Sequence, residues 1–266
     1  MKRPEDVTMD DALADVARVG PYFAVGTDPG IADHPLWRPL TALYGPALPD
    51  QIATVRVRLG TAEERVAASL LFQGVAGRLW SPALATAVLH GRVPELDPAS
   101  TYWRAASPGP VLLAAPGAPA SAADAAALRR VIVDGHLVPL VRAVRAVTPV
   151  AEGLLWGNAA SALAGALTVL ALARPERSAA ASRLVGELLA TPPLRAAGDL
   201  GPYGFRRRSC CLYYRVPGGG KCADCALLST ATVTPPVTSQ DRRIGHPPGN
   251  VDAEQATTTA RCVGDQ

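Results

Sequence analysis

The chain has 266 residues, 48% of them apolar but only 5% aromatic, and a formal net charge of +3. That length allows one large domain or two small ones with a sizeable core. The charge is too small to indicate a nucleic-acid partner, and the Ala- and Leu-rich composition favours helices.

In chain order, the N-terminal "MKRPEDVTMD" is charged and lacks the apolar centre of a secretory signal, so a cytoplasmic chain with reduced thiols is expected. Thr8-x-x-Asp11 reads as a helix start, with a short helix from Asp10 to about Val19. Residues 20–50 are rich in Gly, Pro and Asp and read as irregular chain. "TVRVRL" at 54–59 alternates apolar and charged residues, a strand pattern. Thr61-x-x-Glu64 opens a stronger helix with Val66, Leu70, Gln73 and Gly77 on one stripe and Ala67, Leu71 and Val75 beside it. Ser81-Pro82 reads as a restart, giving a further helix to His90 that stops at Gly91.

Residues 92–120 are Pro/Gly-rich, with one short strand expected in "GPVLLAAPGAP", and form the best boundary between two halves. Ser121-x-x-Asp124 opens the next helix, with Leu128, Val131 and Ile132 inward; Gly135 and Pro139 suggest a bend or break before "LVRAVRAV". Thr148-Pro149 caps a long helix containing "LLWGNAASALAGALTVLALA" (154–173), twenty residues without a charge. That is the length of a membrane span, but the Ala content, Asn158, Ser161, Thr168 and two glycines fit a buried bundle helix better. A last helix runs from Ser178 to about Ala190 and ends at Thr191-Pro192-Pro193. The expected class is mainly α: a helical bundle of two packed helical halves (1–110 and 111–200) with a few short strands, then a cysteine-rich cluster-binding loop (201–230). Residues 231–266 have almost no large apolar side chains and read as a disordered tail, with Cys262 a free thiol.

Four of the five cysteines fall in C-C-x10-C-x2-C: Cys210, Cys211, Cys222 and Cys225. Clustered cysteines in a reducing compartment suggest metal or redox chemistry rather than cystines. Adjacent cysteines point to opposite faces of extended chain, which suits one ion poorly. Only Cys222-x2-Cys225 is a zinc-type knuckle. The spacing ranks a 2Fe–2S cluster first, zinc second and a thiol switch or structural pair after them. Three consecutive glycines, Gly218 to Gly220, could bring backbone N–H groups to the sulfurs. Among the nearby cations Arg206, Arg207, Arg208, Arg215 and Lys221, the candidates for second-layer or docking roles are Arg208, Arg215 and Lys221, together with Asn158; for any single one of these cations, facing solvent is the better reading. Asn158 would bond either the cysteine loop or a neighbouring helix, while Trp156, two residues before it, is expected in the core. His34, His90, His136 and His246 are read as structural or exposed.

"CCLYYRVPGGGKCADC", with the upstream "LLWGNAASAL" and "AASLLFQGVAGRLWSPALA", resembles the ferric-siderophore reductase family, the FhuF-like iron–sulfur proteins. The long tail after Cys225 departs from that pattern. The resemblance implies a helical protein binding one 2Fe–2S cluster through Cys210, Cys211, Cys222 and Cys225. It further implies one-electron reduction of siderophore-bound Fe(III) in the cytoplasm, or peripherally on the inner face of the membrane, so that Fe(II) is released. The implied partners are a ferric siderophore, an electron donor such as a ferredoxin or flavoprotein, and transiently a membrane importer. Two other readings stay open: a 2Fe–2S carrier or redox sensor without a siderophore site, and a zinc-stabilised interaction module.

Overall fold

The computed structural model describes residues 7–106, 111–202 and 204–228. The tail 231–266, with Cys262 and His246, lies outside the described residues.

The fold is mainly α. Helix α1 (Met9–Val16) starts at Thr8, whose hydroxyl accepts from Asp11 N while the Asp11 carboxylate accepts from Thr8 N, a complete capping box. A short helix α2 (Leu40–Leu43) leads into α3 (Leu48–Arg58). The strand expected at 54–59 is the end of α3: Leu48, Gln51, Ile52 and Val55 recur at helical spacing and are buried, while Val57 is 77% exposed. The period-two alternation was shorter than the helical stripe that contains it.

Helix α4 (Glu64–His90) runs unbroken for 27 residues, so Ser81-Pro82 is not a restart. Proline inside a helix costs about 3 kcal/mol through a lost hydrogen bond and a clash. Here α4 is apolar on nearly every side and buried along most of its length, and that burial holds it together. It ends as expected, at Gly91 in the left-handed conformation (φ +65°).

Six short strands accompany the N-terminal and middle segments. β1 (Val25–Gly26), β2 (Arg38–Pro39), β4 (Tyr102–Ala105) and β5 (Val111–Ala114) form a sheet of order β1-β5-β4-β2. In it β1 is parallel to β5, and the other pairs are antiparallel, with Trp103 opposite Leu113. β3 (Arg92–Pro94) pairs with β6 (Ala120–Ala122).

Asp124, not Ser121, caps α5 (Ala125–Leu128), its carboxylate accepting from Ala127 N at 2.6 Å. The expected bend at Gly135 and Pro139 is instead a widened π-helical segment (Arg129–Leu137) that continues into α6 (Val138–Val147), with Pro139 in the first turn. Helix α7 (Glu152–Ala173) begins after Ala151 rather than at Thr148, whose hydroxyl donates to Glu64 on α4. By length and composition α7 could cross a membrane, and 61% of its apolar window is buried inside the molecule. It packs along α4 as the central pair, with α3 and α1 on α4 and α8 (Ser178–Leu189) on α7. After α8, β7 (Gly198–Gly201) and β8 (Gly204–Arg207) form a hairpin that delivers the chain to the cysteines.

Candidate functional site

The cysteine segment sits against the first half of α7 and the start of α4. Cys211, Cys222 and Cys225 are buried, at 2%, 7% and 1% exposure, and Cys210 reaches the surface more. The Cys211 and Cys222 sulfurs are 3.2 Å apart, in hydrogen-bond contact rather than bonded. A tight turn brings the C-terminal pair together, with Cys225 N donating to Cys222 O at 3.0 Å. After the first pair, Leu212 adopts the left-handed region (φ +70°), uncommon for a non-glycine and found most at functional turns. It reverses the chain into a single turn, Tyr213–Arg215.

Backbone N–H groups point at sulfur. Leu212 N donates to Cys210 Sγ at 3.3 Å and Leu227 N to Cys225 Sγ at 3.4 Å, and Tyr213 N donates to Cys211. These donors are not the glycines expected from the sequence. Gly218 and Gly219 serve the turn itself: Gly218 has φ +73°, and a Cβ on Gly219 would lie 2.4 Å from Tyr213 O. Burial raises the Cys210 thiol above its ordinary value, and the hydrogen bond with Cys222 together with burial raises Cys211.

Beneath the sulfurs lies a buried polar network. Arg207 is 2% exposed, and its guanidinium makes three connections. Nε donates to Asp224 Oδ2 at 3.0 Å, Nη1 to Asn158 Oδ1 at 2.8 Å, and Nη2 to Ser161 Oγ. Asn158 Nδ2 donates to both the carbonyl and the hydroxyl of Ser69 at 2.9 Å, and Ser69 Oγ donates to Cys211 O at 2.7 Å. The chain Asp224–Arg207–Asn158–Ser69–Cys211 thus ties both cysteine pairs to α7 and α4. Burial opposes the charge on Arg207, yet the negative charge of Asp224, and that of Cys211 and Cys222 when they are thiolates, holds its pKa above the ordinary value.

Of the residues singled out in the sequence, the four cysteines come together and Asn158 reaches the strand that leads into them. Arg208, Arg215 and Lys221 turn outward: Arg208 pairs with Asp199 at 2.7 Å, Arg215 with Glu63 at 2.6 Å, and Lys221 donates to Leu227 O. Arg207 takes the place expected of them. Strand alternation carries the signal for it, because Phe205 and Arg207 share the inward face of β8. His34, His90 and His136 are engaged elsewhere, with Leu36 N, Asp15, and the Tyr44–Leu96 pair.

Four thiols on one short segment, with backbone donors aimed at them and a buried cation below, are the donor chemistry of an iron–sulfur centre. Among the described residues no group of three or more His, Cys, Asp or Glu side chains is arranged to hold a metal ion as it stands. The Cys211 and Cys222 sulfurs are in hydrogen-bond contact with each other. No curated protein matches the chain. Residues 207–227 match the family model of the FhuF 2Fe-2S C-terminal domain, a span that begins at the buried Arg207 and includes all four cysteines. The chain is therefore FhuF-like at its cysteine segment, and the cofactor of that domain is a 2Fe–2S cluster.

Proposed function

We propose that the protein is a ferric-siderophore reductase, with Cys210, Cys211, Cys222 and Cys225 as the thiolate ligands of its 2Fe–2S cluster. The observation that carries this reading is the family match, which spans all four cysteines. When bound, the cluster supplies a one-electron couple. The net change is then one electron from a donor protein to Fe(III) in the chelate, leaving Fe(II), which hard oxygen ligands hold less tightly. No proton donor or nucleophile is required.

The protein's own residues do the rest. The Arg207–Asn158–Ser69 network fixes the cysteine segment on the α4–α7 pair, so little has to reorganise around it. Arg207 places a permanent positive charge under the thiolates, and a cation there favours the more negative, reduced state. Cys210 is the ligand nearest solvent, and Tyr214 and Leu227 of the same segment are 44% and 49% exposed. That edge is where an electron enters or leaves, with a ferredoxin or flavoprotein as donor on the cytoplasmic side and an importer as a passing contact.

The test is anaerobic reduction of the purified protein, mixing with a panel of ferric siderophores, and trapping of Fe(II) with a chromogenic chelator. Rapid reoxidation by at least one siderophore, with stoichiometric Fe(II) and its loss in Cys222→Ser, is expected. A coloured, reducible protein that no ferric siderophore reoxidises would be an electron carrier or redox sensor. A colourless protein containing zinc would be an interaction module.

A further inference from the structure

Within the cysteine segment the Cys211 and Cys222 sulfurs are 3.2 Å apart. Two thiolates on one tetrahedral ion, with metal–sulfur bonds of about 2.3 Å, stand about 3.7 Å apart. Thiolates on two neighbouring ions stand farther apart than that. Cys211 and Cys222 therefore have the spacing of ligands to a common ion, to within about 0.5 Å. Among the described residues no third His, Cys, Asp or Glu side chain joins such a pair around one point. This arrangement suits two ions with two thiolates each better than one ion with four.

Other features divide the four sulfurs in the same way. Consecutive side chains diverge in regular backbone, by roughly 100° in a helix and to opposite faces in a strand. The two neighbouring cysteines do differ in setting: Cys211 is buried, and Cys210 reaches the surface. Cys210 and Cys225, at opposite ends of the segment, share a local pattern. Each accepts a hydrogen bond from the amide two residues further on, Leu212 N at 3.3 Å and Leu227 N at 3.4 Å. Charge follows the same division. The thiols whose charge bears on the buried Arg207 are Cys211 and Cys222. Cys210 feels its neighbour Cys211 and Cys225, and Arg207 is the smallest of the influences on it.

We propose that Cys211 and Cys222 share one iron of the 2Fe–2S cluster and that Cys210 and Cys225 share the other. Both sequence-local pairs, Cys210-Cys211 and Cys222-x2-Cys225, are then split between the two irons. The pairing rests on these four cysteines being the ligands, as proposed above, and does not depend on siderophore reduction. It gives the adjacent cysteines a purpose, since neighbouring residues reach two ions more readily than one. It also makes the two sides of the site unequal. The Cys211–Cys222 side is buried, lies nearer the fixed charge of Arg207 and is tied to α4 through Ser69. The Cys210–Cys225 side includes the sulfur nearest solvent, so it is the side that an electron-exchanging partner meets.

The test compares four single variants of the full chain, Cys210→Ser, Cys211→Ser, Cys222→Ser and Cys225→Ser. Each is loaded with the Mössbauer isotope of iron and reduced by one electron, so that the ferric and the ferrous site give separate spectra. An oxygen ligand in place of sulfur changes the quadrupole splitting of the iron that carries it. Cys211→Ser and Cys222→Ser are expected to alter the same one of the two spectra, and Cys210→Ser and Cys225→Ser the other. If all four variants disturb the cluster but group differently, the ligand set stands and the pairing is discarded. If one variant keeps both wild-type spectra, that cysteine is not a ligand, and the ligand set falls with the pairing. Where a variant does not hold its cluster, limited oxidation of the cluster-free wild-type chain decides. Diamide, an azo oxidant, takes two electrons and two protons from two thiols, leaving a disulfide and a hydrazine. Peptide mapping is expected to find Cys211–Cys222 as the first disulfide. A first disulfide that joins a sulfur of one pair to a sulfur of the other, or no disulfide, overturns the proposal.

Discussion

At the scale of single residues, Arg207 decides most about the site. It is a cation with almost no solvent, held by one carboxylate, one amide and one hydroxyl. Arg207→Met would leave Asp224 and Asn158 without their partner, and removing one member of a buried pair destabilises by about 3 kcal/mol. Urea denaturation of the variant should show a loss of that order. A potentiometric titration of the loaded protein should show the reduced state less favoured, because the neighbouring positive charge is gone. Arg207→Lys separates the two effects. It keeps the charge and most of the potential, but an ammonium cannot make the same three-way fork, so stability still falls. If both variants leave the potential at the wild-type value, Arg207 is a structural tie and nothing more. The sequence offered five cations near the cysteines. Three of them, Arg208, Arg215 and Lys221, are occupied at the surface, and the run of three arginines hides the one that faces inward.

At the scale of elements, Trp156-Gly157-Asn158 shows why three adjacent residues on α7 differ so sharply. Each is turned by roughly 100° from the last, so each meets a different neighbour. Trp156 is buried with its indole N–H donating to Glu152, Gly157 admits the cysteine segment, and Asn158 enters the polar network. A Cβ on Gly157 would stand 2.1 Å from Ser209 Oγ and 3.5 Å from Ser209 Cβ. Gly157→Ala must therefore displace the Ser209 hydroxyl from Gly153 O or push the segment outward, with a stability loss of about 1–3 kcal/mol and faster cluster loss. Adding Ser209→Ala removes the clashing oxygen, so the double variant should regain most of both. Cluster absorbance followed over time, with melting curves, checks this. No recovery in the double variant would mean that the close approach is not what sets the segment. The same scale explains two expectations that did not hold. The alternation in "TVRVRL" gave way to a longer helical stripe, and Pro82 was absorbed by a helix buried along most of its length.

At the scale of the whole molecule, His136 links three distant parts of the chain. Its Nε2 meets a carbonyl, Leu96 O, which only accepts, so Nε2 carries the proton and Nδ1 accepts from the Tyr44 hydroxyl at 2.8 Å. The ring is neutral and fully buried, and burial pushes its pKa down from 6.5 to about 4. Above pH 6.5 the ring is neutral whether the chain is folded or not, and there is no penalty. As the pH falls from 6.5 towards 4, the unfolded chain takes up a proton that the folded one refuses, and stability drops by up to about 3 kcal/mol. Below about 4 the folded state binds it too, and no further loss comes from this group. His136→Gln can bond both partners without titrating, so its urea midpoint should fall less than that of the wild type between pH 7 and pH 4.5. Parallel curves for the two proteins would remove His136 from the acid response.

The sequence by itself determined the helical class, the identity of the cysteine segment and its cofactor. Composition sums over many residues, and a C-C-x10-C-x2-C pattern places four thiols within one short segment, so neither needs long-range information. Tertiary structure alone decided what surrounds that loop. Ser69, Asn158 and Arg207 are far apart along the chain and meet only because α4 and α7 pack along each other, and whether a polar side chain faces water or a partner depends on that packing.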